Sequence, residues 1–83
     1  MKHRILVVED NQLNRELLCD WLEAERYEVL SAIDLKTATA TVEAEKPHVV
    51  LLDVQLGSDD GLSLAAWMRQ RSGLRFIPII GFS

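Results

Sequence analysis

Apolar residues in this chain fall into two patterns: short solid runs, and longer stretches where they recur every third or fourth position. Ile5-Leu6-Val7-Val8 and Val49-Val50-Leu51-Leu52 are the solid runs. Each is too short for a helix, and its β-branched, unalternating composition is that of a strand covered on both faces. They predict strands at about Arg4–Val8 and Val49–Asp53. Between them, Gln12–Glu25 places Leu13, Leu17, Leu18, Trp21 and Leu22 at helical spacing beside a wet face of Asn14, Arg15, Glu16, Asp20 and Glu23. Asn11 is the expected N-cap. A weaker strand follows at Glu28–Ala32 around Val29 and Leu30. Asp34 then caps a second helix, buried through Leu35, Ala38 and Val42 and ended near Glu45 by Pro47.

The stretch from Val54 to Gly61 has loop composition, with Asp59-Asp60 suited to a turn or to capping a third helix. That helix is expected over Leu62–Arg71, with Leu62, Ala65, Ala66 and Met68 facing inward and Ser72-Gly73 stopping it. Phe76–Ser83 reads as the fourth strand. The order βαβαβαβ calls for a parallel sheet with right-handed crossovers and helices on both faces. In such sheets ligands bind at the carboxyl ends of the strands. The first and third strands carry Glu9-Asp10 and Asp53 to that rim, and these three carboxylates are the main candidate chemistry.

Composition narrows the rest. Eighty-three residues, 48% of them hydrophobic, suffice for one globular domain, 1–83. The net charge is −4 and the nine Lys/Arg are scattered, which argues against a nucleic-acid surface. The single cysteine, Cys19, makes no internal disulfide and suits a reducing cytoplasm; beside Leu18 and Leu22 it reads as packing. The basic opening Met1-Lys2-His3-Arg4 leads into an apolar run cut by Glu9-Asp10, so neither a signal peptide nor a membrane span is expected. His3 and His48 lack partners at metal spacing and read as structural, and Trp21 and Trp67 as packing or partner-facing.

Ile5-Leu6-Val7-Val8-Glu9-Asp10-Asn11, Val49–Asp53, the loop from Asp53 to Gly61 and Pro78-Ile79-Ile80-Gly81-Phe82-Ser83, in that order and spacing, resemble the receiver domain of two-component response regulators. The resemblance spans the whole chain. It implies a CheY-like, flavodoxin-like α/β three-layer sandwich with a parallel sheet of order 2-1-3-4, lacking the family's fifth strand and last two helices. It implies Asp53 as phosphoacceptor, Glu9 and Asp10 as the acidic pair holding Mg²⁺, the Gln55 main-chain carbonyl as a further ligand, and the Ser83 hydroxyl on the phosphoryl group. It further implies a histidine kinase or phosphotransfer protein as partner, and a regulatory domain rather than an enzyme, with self-catalysed phosphotransfer at most. Mg²⁺ suits such a site, because an all-oxygen cluster of like charges is unfavourable without a cation.

Two departures from the family shape further expectations. Gly57 stands where the family has Pro, loosening the loop. The chain stops at Ser83, before the family's active-site Lys, and Lys2, Lys36 and Lys46 are not placed to replace it, so phosphorylation is expected to be impaired. The fourth strand becomes a sheet edge, and apolar residues of the first and third strands lose a covering helix, so self-association through that edge and face is expected. The alternative function is a non-phosphorylated receiver-like module acting through protein contacts.

Overall fold

The computed structural model describes residues 2–56 and 59–82. Its elements are β1 (Arg4–Val8), α1 (Gln12–Ala24), β2 (Glu28–Ala32), α2 (Leu35–Glu45), β3 (Val49–Asp53), β4 (Gln55–Leu56), β5 (Asp59–Asp60), α3 (Leu62–Arg69) and β6 (Ile79–Phe82). Four parallel strands form one sheet in the order β2-β1-β3-β6. This is the predicted 2-1-3-4 order, with β6 as the fourth long strand. The solid apolar runs occupy the centre because only a position flanked on both edges and both faces keeps such residues from water.

The two faces bury separate clusters. Leu6, Val8, Val42, Val50, Leu52, Leu64 and Met68 pack with their neighbours on the side of α2 and α3. Ile5, Val7 and Leu22 pack under α1, with Leu18, Cys19, Val29, Val49 and Leu51 partly buried around them. Helix starts follow the predicted caps. The Asn14 N–H donates to Asn11 Oδ1 at 2.9 Å. Asp34 accepts from the Thr37 N–H at 2.8 Å while the Thr37 hydroxyl oxygen accepts from the Asp34 N–H, a reciprocal capping box. His48 takes the structural part expected of it, its Nδ1 accepting from the Arg4 N–H at 2.8 Å.

Four expectations need correction. The loop after Asp53 contains a short antiparallel pair, Gln55↔Asp60 and Leu56↔Asp59, so the Asp pair is a ladder partner as well, and the N-cap position of α3 falls on Gly61. Asp60 Oδ1 still accepts from the Leu62 N–H at 3.0 Å. α3 turns Leu64 and Met68 inward and leaves Leu62 and Ala66 exposed. Phe76 and Ile77 lie in a turn: the Ile77 N–H bonds the Leu74 carbonyl, Pro78 has no donor, and pairing starts at Ile79. Finally, the apolar residues of β1 are buried, by α1 on one face and by α2 and α3 on the other, while Val49 and Leu51 of β3 stay partly exposed; Leu13, Leu17 and Trp21 of α1 are exposed as well, and Ile80 is exposed on β6, the expected sheet edge.

Candidate functional site

β1 and β3 are hydrogen-bonded neighbours, with Val8 opposite Leu52, so their carboxyl ends open side by side. The residues that follow therefore meet. One carboxylate oxygen from each of Glu9, Asp10 and Asp53 lies within 4.8 Å of the others. Glu9 and Asp53 are buried, whereas Asp10 is exposed. Burial pushes the Glu9 carboxyl above its ordinary 4.5, the Asn11 N–H pulls it back, and the Asp53 and Asp10 carboxylates raise it further. A cluster in which one acid resists ionisation, first through burial and then through the two acids beside it, is short of positive charge. Its hard oxygen donors fit a divalent ion such as Mg²⁺.

Local bonds set the orientation of these groups. The Asn11 N–H donates to Glu9 Oε1 at 3.1 Å, and the Gln55 N–H donates to Asp53 Oδ1 at 2.9 Å. The Arg15 guanidinium, one turn into α1, donates to the Glu9 carbonyl at 3.0 Å and the Asp10 carbonyl at 3.4 Å. The sequence pattern puts Arg15 on the wet face of α1, and a lone cation on an amphipathic helix gives no sign of reaching back to the preceding loop. Gly61 has a part that its loop composition does not reveal. Its N–H donates to the Val54 carbonyl at 3.0 Å, and a Cβ there would stand 2.4 Å from the Asp53 carbonyl oxygen and 2.9 Å from Val54 Cα. Only a residue without a side chain lets α3 start this close to the phosphoacceptor candidate.

Of the predicted site residues, Glu9, Asp10 and Asp53 converge. Gln55 lies two residues beyond Asp53 and contacts it through its N–H. Ser83 lies outside the described residues, as does Gly57. Beside the acids, Leu17, Leu18, Trp21 and Phe82 line a cavity of about 380 Å³ that Glu9 and Asp53 also border.

The response regulator receiver domain model matches residues 5–83. The chain belongs to the response regulator receiver domain family. It is 34% identical over 80 residues to the polar-differentiation response regulator DivK of Brucella anthropi, a match covering 96% of this chain and 65% of DivK. This receiver thus spans just under two thirds of the length of the curated relatives it matches. Among solved structures, the N-terminal domain of a response regulator receiver protein from Methanoculleus marisnigri superposes with a TM-score of 0.92 at 25% identity, covering 98% of this chain and 66% of that one. The receiver domain of a sensor histidine kinase from Pseudomonas aeruginosa, crystallised with a magnesium ion coordinated in its active site cleft, gives a TM-score of 0.92 at 29% identity, over 100% of this chain and 68% of that one. The receiver fold and membership of the response regulator receiver family are therefore established for this chain. Among the described residues no helix is long and apolar enough to cross a membrane.

Proposed function

We propose that this receiver accepts a phosphoryl group on Asp53 from a histidine kinase or phosphotransfer protein, as a regulatory domain rather than an enzyme acting on other substrates. The convergence of Glu9, Asp10 and Asp53 on one rim carries the reading. Asp53 has one oxygen held by the Gln55 N–H, which fixes the carboxylate and leaves Oδ2 to attack phosphorus. Glu9, Asp10 and Asp53, with the Gln55 carbonyl, would hold Mg²⁺, which when bound supplies charge neutralisation for an anionic nucleophile meeting an anionic donor. The magnesium-bearing neighbour from Pseudomonas supports that choice. Glu9 resists ionisation through burial first and the two neighbouring acids second, and a bound cation would offset the share that comes from those acids. Ser83 is assigned to the phosphoryl group by family resemblance.

Intact-mass spectrometry after incubation with acetyl phosphate and Mg²⁺ tests the proposal. The expected result is an adduct of one phosphoryl group that disappears with chelator and in Asp53→Asn. No adduct, or one retained in that variant, overturns it. The exposed Leu13, Leu17 and Trp21 and the open edge of β6 favour a second reading, in which the domain works through protein contacts without phosphorylation and pairs through that edge. A beryllofluoride–Mg²⁺ mimic that leaves oligomeric state and partner binding unchanged would favour that alternative.

A further inference from the structure

The charges that look scattered along the chain are segregated. All thirteen Asp/Glu and six of the nine Lys/Arg lie in residues 1–60, while residues 61–83 carry three arginines and no acid. Two of those arginines are layered on aromatic rings. The Arg71 guanidinium stands 4.8 Å from the Trp67 ring centre, and that of Arg75 stands 5.0 Å from the ring centre of Phe76, which is 84% exposed. Arg71 also reaches Glu43 at 3.3 Å, whereas Arg75 has no carboxylate partner among the described residues. The end of α3 and the turn after it thus present an aromatic surface with a net positive charge. A large exposed aromatic flanked by Arg has the composition of an interface centre.

The complementary surface is on the same molecule. On the outer side of α1, Glu16, Asp20 and Glu23 form an exposed acidic stripe at helical spacing. Next to it runs a second stripe, Leu13, Leu17 and Trp21, each about three-fifths exposed. Acid beside apolar on α1 answers Arg beside aromatic on the α3 turn in both sign and hydrophobicity. The two surfaces differ, so a contact between them is heterologous and repeats from copy to copy.

We propose that the α3 turn, centred on Arg75 and Phe76, docks onto the acidic and apolar stripes of α1 in a second copy of this chain, giving head-to-tail association. This interface is distinct from pairing through the β6 edge; it does not require Asp53, although Leu17 and Trp21 also line the cavity that Glu9 and Asp53 border. Sedimentation velocity across protein concentration and NaCl tests it. The expected result is a mass that rises above the 9.4 kDa of one chain with concentration at low salt and returns towards it at high salt. Arg75→Glu and Asp20→Lys should each abolish the association while circular dichroism stays unchanged. Mixed in equal amounts, the two variants should associate again, because each keeps one intact surface that fits the other's. A monomer at every concentration overturns the proposal. So does an oligomer indifferent to salt and to both substitutions, which would instead be the edge-paired form.

Discussion

Gly61→Ala is the substitution whose outcome depends most directly on how the site is assembled. Gly61 has φ −58° and ψ −28°, values an alanine adopts without strain. On backbone grounds alone the change would stabilise the fold by about 0.4–1 kcal/mol, by restricting the unfolded chain. Packing opposes this. The new Cβ would sit 2.4 Å from the Asp53 carbonyl oxygen and 2.9 Å from Val54 Cα, both main-chain atoms that no rotamer change can move aside. Relieving the overlap requires the β3–β4 junction and the start of α3 to part by roughly an ångström, and such overpacking costs about 1–3 kcal/mol. The clash wins, with a net loss of about 1–2 kcal/mol. For a domain of this size each kcal/mol lowers Tm by about 4–8 °C, so a fall of roughly 5–15 °C is expected. The displaced backbone carries Asp53, so Mg²⁺ affinity should fall as well. Differential scanning calorimetry gives the first quantity, and the fluorescence of Trp21, which borders the same cavity as Glu9 and Asp53, gives the second. An unchanged or higher Tm with unchanged Mg²⁺ affinity would refute the reasoning.

Further expectations concern the acids, their support and the core. Glu9 has its folded pKa raised above 4.5, so the folded state binds the proton more tightly than the unfolded one, and the stability tied to this group is full below 4.5 and lost as pH rises through the raised value. Glu9→Gln should therefore flatten the fall in metal-free Tm as pH rises above 4.5; a slope equal to wild type counts against burial and the neighbouring acids holding this carboxyl protonated. Arg15→Ala frees the Glu9 and Asp10 carbonyls and should weaken Mg²⁺ binding by about tenfold by calorimetric titration, with Arg15→Lys recovering part of it. Equal affinities would show that the guanidinium does not position the acids. Leu6→Ala empties a fully buried site between β1 and the α2–α3 layer and should cost about 2–5 kcal/mol in urea unfolding. That is a large share of the roughly 4–12 kcal/mol available to a chain this size, and a loss under 1 kcal/mol would contradict the packing described.

The parts of this molecule that could be read before its structure are those where one strong force acts alone. The runs from Ile5 and Val49 have no soluble alternative to a central strand, and β1, β2, α2 and β3 begin and end where the pattern put them. The acids at the ends of β1 and β3 follow from the same two strands, and their meeting follows from the strand order. Legibility fails where weak preferences compete. Two-residue strands such as Gln55–Leu56 and Asp59–Asp60 carry polar residues with little strand propensity, and their pairing comes from closure of the loop. In α3, both Leu62 and Leu64 could begin the buried stripe; the close approach of Gly61 to Asp53 fixes the helix phase and selects Leu64 with Met68. In α1, five apolar residues suggest a wide buried face, yet β1 and β3 accept only Leu22 fully, with Leu18 and Cys19 in part. The roles of Arg15 and Gly61 depend on approach between segments and leave no local mark in the sequence.

Isothermal titration of this chain with Mg²⁺, run on the wild type, Asp10→Asn and Asp53→Asn, bears most directly on the claim that three acids from two adjacent strands form one cation site. One saturable site is predicted for the wild type, weakened by about tenfold or more in each variant, including the exposed Asp10. No saturable binding, or binding that survives both substitutions unchanged, would contradict it.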